Sequence, residues 1–178
     1  IRIDGPMSQS VVALEQAEIQ ALADLYHAAG PSVVADCGLS VREVGDAVLI
    51  AATRFDVLAL NRLVGLGLRS LPSDAALADA MSAIEQTGSP RCFVQVAPTG
   101  ASDGLGVRLE RLGLRQYNNW MRLGRSLDDL PRPSDSSSAT LLDVRRIGSA
   151  HANVFGSLVA TAFDYPPALS PITSQTIG

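Results

Sequence analysis

The stretch LNRLVGLGLRSLPSDAALADA, residues 60–80, places Gly65 and Gly67 where an expected strand gives way to a helix. Turns of that kind can let main-chain N–H groups approach a phosphate, and the helix N-terminus adds partial positive charge. Three other polar residues stand out. Asn61, Arg62 and Gln95 lie in or beside apolar strands, where they either bridge strands by hydrogen bonds or face a cleft. Tyr117, Trp120 and Met121 alternate with polar neighbours. They line a pocket, or they face a core as alternate residues of a strand.

The remaining chemistry-bearing residues suggest less. His27 and His151 are the only histidines and neither has a second ligand at helical spacing, so no metal site is expected; His27 suits the negative end of a helix. The serines of 134–138 form no G-x-S-x-G elbow and read as linker. Cys37 and Cys92 stand far apart without a C-x-x-C spacing, which reads as two buried, reduced thiols in a reducing compartment.

Composition narrows the classes further. The chain has 178 residues, 47% of them hydrophobic and 18% charged, enough for a real core. Every basic residue is arginine and the net charge is −4 with no basic run, so a nucleic-acid partner is not expected. No apolar run approaches the roughly 20 residues of a membrane helix. The opening IRIDGPMSQS lacks the layout of a secretory leader. A cytoplasmic location is the expectation. Beginning at Ile1 and stopping at Gly178 without an evident closing element, the sequence reads as a piece of a longer protein.

Several elements must position these residues. Residues 11–29 form an expected amphipathic helix with Val11, Leu14, Ala17, Ala21, Leu25 and Ala28 on its apolar face and Glu15, Glu18 and Asp24 elsewhere. Ser10 is its expected N-cap, and Gly30 with Pro31 stops it. A looser stretch follows. Strands are expected at 47–53 and 60–69. The next helix opens at Ser73 and Asp74 and ends at Gly88, with Leu77, Met81 and Ile84 on one face. A strand at 91–97, a helix at 102–112 ending at Gly113, and a strand at 116–124 complete the unit. Residues 127–139, LDDLPRPSDSSSA, have little to bury and read as a linker. Beyond it, LLDVRRIG is an expected strand that puts Arg145 and Arg146 on the surface. Ser149 opens a helix with Ala152, Phe155, Val159 and Phe163 aligned. Laying residues 14–30 over 147–163 pairs Ala17 with Ala150, Leu22 with Phe155 and Leu25 with Leu158, the mark of a tandem repeat.

The pieces NRLVGLGL, FVQVAP and LERLGL, followed by a strand with Trp120 and Arg122, resemble a lobe of the GNAT (Gcn5-related N-acetyltransferase) superfamily. More narrowly, they are similar to the N-terminal, non-catalytic lobe of bacterial tandem-GNAT proteins. The match covers most of 40–125, with the opening of a second lobe at 140–165. The resemblance implies an α+β fold with a central mixed sheet flanked by helices. The expected division is a GNAT-like lobe over 1–126, a linker over 127–139 and a truncated second lobe over 140–178.

The family's two chemical motifs are both degraded in this lobe. The acetyl-CoA turn (Q/R)-x-x-G-x-(G/A) falls on Arg69, Ser70, Leu71, Pro72, Ser73 and Asp74, which contain no glycine. Pro72 has no N–H to offer and Asp74 sets a carboxylate where phosphates would arrive. Gly65 and Gly67 come too early and are read as closely packed glycines within the strand. In the pattern N-x-x-A-x-x-x-Y-x-x-x-G, counting back from Gly113 puts Ser102, Leu105 and Leu109 at the asparagine, alanine and tyrosine places. Leucine cannot act as a general acid. The resemblance therefore implies a scaffold or substrate-side lobe with no catalytic residue and no cofactor of its own, in a parent protein that transfers an acetyl group from acetyl-CoA to a small-molecule amine. Acetyl-CoA would bind the C-terminal lobe, which is this lobe's expected partner, with a homodimer as a further option. Asn61, Arg62, Gln95, Tyr117 and Trp120 are the substrate-side candidates. The rival reading is a non-catalytic ligand-binding or oligomerisation module.

Overall fold

The computed structural model describes residues 6–120 and 147–175. Its elements in chain order are α1 (Pro6–His27), α2 (Pro31–Cys37), β1 (Leu39–Val44), β2 (Ala47–Ala52), β3 (Arg62–Val64), α3 (Asp74–Thr87), β4 (Phe93–Val94), α4 (Leu105–Arg111), α5 (Ala152–Ala162) and α6 (Ser170–Ser174). The strands form one mixed sheet in the order β1-β2-β3-β4. β1 and β2 pair antiparallel from Leu39↔Ala52 to Val44↔Ala47, and β2 pairs antiparallel with β3. β4 runs parallel to β3, with Arg62 opposite Phe93 and Leu63 opposite Val94. A parallel pair needs a crossover, and α3 supplies it. The class is α+β.

Strand alternation divides the apolar residues between the two faces. Ala47 and Leu49 of β2 and Leu63 of β3 join Leu66, Leu77, Ala80, Ala83, Leu105 and Leu109 in a core under α3 and α4. Ile50 and Ala52 point the other way, into a second core with Tyr26 of α1, Cys37 of α2, Leu39, Leu60, Leu169 and Ile172. The last two residues lie beyond the expected linker. The helices that follow it thus complete a core begun by α1, and Gln175 Oε1 accepts a 2.8 Å bond from the Gly30 N–H between α1 and α2.

Several expectations change at this level. α1 begins at Pro6, so Ser10 lies inside it rather than capping it. Its buried face is also displaced: Leu14 is exposed while Glu15 and Tyr26 are buried. The looser stretch after residue 30 holds α2 and β1, the latter an exposed-edge strand whose mixed polarity masks its period. The strand expected over 60–69 shrinks to Arg62–Val64, and that over 91–97 to Phe93–Val94. A 3-10 turn at Gly100–Ser102 precedes α4. Residues 116–120 are not in a ladder, and 121–124, Met121 and Arg122 included, lie outside the described residues. So do the linker 127–139, the serines of 134–138, Arg145 and Arg146, and most of the strand expected at 141–148. On α5 the residues turned inward are Gly156 and Ala160 rather than Phe163, which is exposed. A Cβ on Gly156 would collide with Ser174 Oγ and the Ser170 carbonyl, so α5 and α6 meet at a glycine contact.

The glycines that opened the problem lie beyond β3, not within it. Gly65 and Gly67 have φ of 88° and 73°, a region that favours glycine. A Cβ would come within 2.9 Å of Ile19 Cδ1 at Gly65 and 2.6 Å of Leu105 Cδ2 at Gly67. Close packing holds as their explanation. The turn they build is filled by α1 on one side and α4 on the other.

Candidate functional site, a buried polar cluster between α1 and the sheet

Because Leu63 and Val94 face α3 and α4, strand alternation sends Arg62, Phe93 and Gln95 toward α1. There they meet two carboxylates that sequence periodicity had placed elsewhere. Arg62 Nη1 donates to Glu18 Oε1 at 3.2 Å and to Gln95 Oε1 at 3.3 Å, while its Nε donates to the Ala59 carbonyl at 2.8 Å. Gln95 Nε2 donates to Glu15 Oε2 at 2.9 Å and to Glu18 Oε2 at 2.8 Å. Glu15 is only 2% exposed. An ionised carboxylate at that depth requires partners, and the Gln95 amide is one of them.

Aromatic residues close the cluster. The Arg62 guanidinium lies 4.9 Å from the centroid of the Trp120 ring, within cation–π range. Phe93 touches both Trp120, edge-on at 6.0 Å, and Tyr117, tilted at 5.2 Å. Tyr117 and Trp120 are otherwise exposed. Four of the five sequence candidates therefore gather in one place: Arg62, Gln95, Trp120 and, through Phe93, Tyr117.

Asn61 does not join them. Its side chain accepts from the Ala52 N–H at 2.9 Å and donates to the Phe55 and Val57 carbonyls, each at 3.0 Å. It is fully buried and satisfies main-chain groups of the β2–β3 connection. That is the strand-bridging alternative. Glu15 and Glu18 were missed because Leu14 and Ala17 suggested a different face. The available signal was the stripe Glu15, Glu18, Ile19, Leu22 and Tyr26, which also recurs at three and four and carries two acids facing an arginine and a glutamine of the apolar strands.

The turn leading into α3 makes contacts of its own. Ser73 Oγ accepts from the Ala76 N–H at 3.1 Å and caps the helix. Arg108 of α4 donates to the Pro72 carbonyl and forms an ion pair with Asp74. Arg69, Ser70 and Leu71 are exposed. Leu109, at the tyrosine place, is buried in the core under α3 and α4. Among the described residues no group of three or more His, Cys, Asp or Glu side chains could hold a metal ion, and His27 and His151 are both exposed. No described helix is long and apolar enough to cross a membrane.

Burial sets the ionisation of three other groups. The Tyr26 hydroxyl donates to the Leu60 carbonyl, and burial raises its pKa well above the usual phenol range. Burial also raises the Cys37 thiol, and it pushes Cys92 up to about 11. A thiol raised on folding stabilises the protein fully below its unfolded pKa, and that stability is lost as pH climbs through the folded value. Between pH 9.0 and about 11 the Cys92 thiol is expected to cost the native state stability, roughly 2 kcal/mol over the interval. Urea denaturation at pH 8, 9, 10 and 11 checks this: Cys92→Ala should show a shallower fall than the parent over that interval, and equal slopes would refute the assignment.

No protein-family model, no curated protein and no solved structure matches this chain.

Proposed function

We propose that the chain is the non-catalytic, substrate-side lobe, with the start of a second lobe, of an acetyl-CoA-dependent N-acyltransferase of GNAT type, whose parent protein acetylates a small-molecule amine. The order helix, strands, helix, strand, helix supports that reading, with the parallel β3–β4 pair linked through α3. The observation that carries the non-catalytic part is the turn before α3. Arg108 ties Pro72 and Asp74 to α4, Pro72 has no N–H, and Ser73 already caps the helix. Coenzyme A would meet a carboxylate and a proline where its diphosphate needs amide donors. With Leu109 at the tyrosine place, the lobe also has no group there to protonate a departing thiolate.

In this reading the chemistry belongs to the second lobe. The amine attacks the thioester carbonyl there, a base or water takes its proton, and CoA leaves as the thiol. The first lobe scaffolds that partner and walls the acceptor cleft. A ligand that binds only the folded state raises its melting temperature. This chain is therefore expected to show no shift with millimolar acetyl-CoA, and a longer chain carrying the whole second lobe is expected to show a clear one. Crystals soaked in the coenzyme that placed it against residues 70–74 would overturn the proposal.

The rival, an assembly module without turnover, is favoured by one feature. α5, a helix with no charged residue, exposes Val154 and Leu158, and Phe163 just beyond its end is exposed too. Sedimentation across a hundredfold concentration range separates the readings: self-association that Leu158→Glu abolishes, with no acetyl-CoA response from a longer chain, would favour the module.

A further inference from the structure

We propose that the space between α1 and the β3–β4 edge is a recognition box for a guanidinium or primary ammonium group, and that Arg62 is its resident occupant. The walls are of the kinds such a cation selects: the Glu18 carboxylate at 3.2 Å, the Gln95 amide oxygen at 3.3 Å, the Ala59 carbonyl at 2.8 Å, and the indole face of Trp120 at 4.9 Å. Glu15 reinforces the box through Gln95, whose amide nitrogen bridges both carboxylates. Charge-assisted hydrogen bonds and a π face are the interactions that bind alkylammonium and guanidinium ligands. Here the chain delivers its own cation from β3. The side chain of Arg62 is only 9% exposed, so an external amine cannot share the space with it.

Trp120 is the outer wall and is half-exposed, so it is the side of the box nearest solvent. With Arg62 in place the substrate side of this lobe is plugged. That functional meaning rests on the reading of the lobe as a non-catalytic partner, whereas the chemistry of the box does not. The two fail separately, because one is tested with a guanidinium compound and the other with acetyl-CoA.

The test is chemical rescue. Arg62→Ala removes the occupant and leaves the walls, and ethylguanidinium chloride supplies a free replacement. The chain has one tryptophan, Trp120, so its emission reports occupancy directly. Arg62→Ala should show a saturable change in emission and a rise in melting temperature of about 4 °C at tenfold excess over the dissociation constant. Guanidinium acting merely as a denaturant lowers the melting temperature without saturating. The parent chain, whose own Arg62 fills the space, should not respond, and adding Glu18→Gln to Arg62→Ala should weaken binding at least fivefold. If Arg62→Ala does not fold alone, recovery of its circular dichroism with ethylguanidinium supports the proposal. A folded Arg62→Ala without a saturable response, or an unfolded one that the compound does not restore, overturns it.

Discussion

Arg62→Met is expected to lower the unfolding free energy by about 3 kcal/mol, a drop of some 10 °C in melting temperature for a chain of this size. The methionine keeps most of the stem packed, so the loss isolates the guanidinium. What it leaves behind is costly. Glu15 stays at 2% exposure, and Glu18 loses the cation 3.2 Å away. Removing one partner of a buried pair exposes the full desolvation penalty of the other. Glu18→Gln should cost less, because its partner Arg62 keeps the Ala59 carbonyl and Gln95. The double variant should lose less than the sum of the two, which a urea-denaturation cycle measures directly. A loss below about 1 kcal/mol for Arg62→Met would mean that the cluster behaves as a solvated surface pair.

The second large effect lies on the far side of the expected linker. Ile172→Ala should cost about 2–5 kcal/mol, the range for truncating a buried aliphatic side chain. Ile172 is 1% exposed and Leu169 2%, both in the core that holds Tyr26, Cys37 and Ile50. Leu158→Ala, at 63% exposure on α5, should fall within about 0.5 kcal/mol of the parent. Hydrogen exchange locates the effect. Amides of α1 and β2 should lose protection in Ile172→Ala, although they are more than a hundred residues away. If they keep it while only residues 147–175 open, the two parts are energetically separate.

That coupling was not legible in the sequence, and the reason is physical. A proline- and serine-rich segment such as 127–139 marks a composition boundary, but composition does not say whether helices beyond it bury their apolar residues among themselves or against what came before. The periodic helices and the β2 strand were legible because burial on one or both faces imposes a strong pattern. β1 was not, since only Leu39 of its six residues is buried. α1 was found in extent and misjudged in rotation. Leu14 and Leu25 carried an apolar stripe, yet the face that docks contains two glutamates satisfied by residues far along the chain, a tertiary pairing that local periodicity cannot see. The polar residues in and beside β3 and β4 did point to the cluster. Sequence alone left open which of them were structural, and Asn61 and Arg62, adjacent in the chain, take different partners: Asn61 bonds the β2–β3 connection and Arg62 meets Glu18 and Gln95.

The two faces of the sheet also close at different moments in the life of the chain. Among the described residues, those packed under α3 and α4 have all been synthesised by Leu114. The opposite face waits for Leu169 and Ile172, so on the ribosome Tyr26 and Ile50, already packed with Cys37, Leu39 and Leu60, lack the rest of their cover until α6 is made. Contacts so remote in sequence form late and leave apolar surface open to aggregation meanwhile. A nascent chain stalled near residue 140 should therefore engage holding chaperones that release it once α6 has emerged.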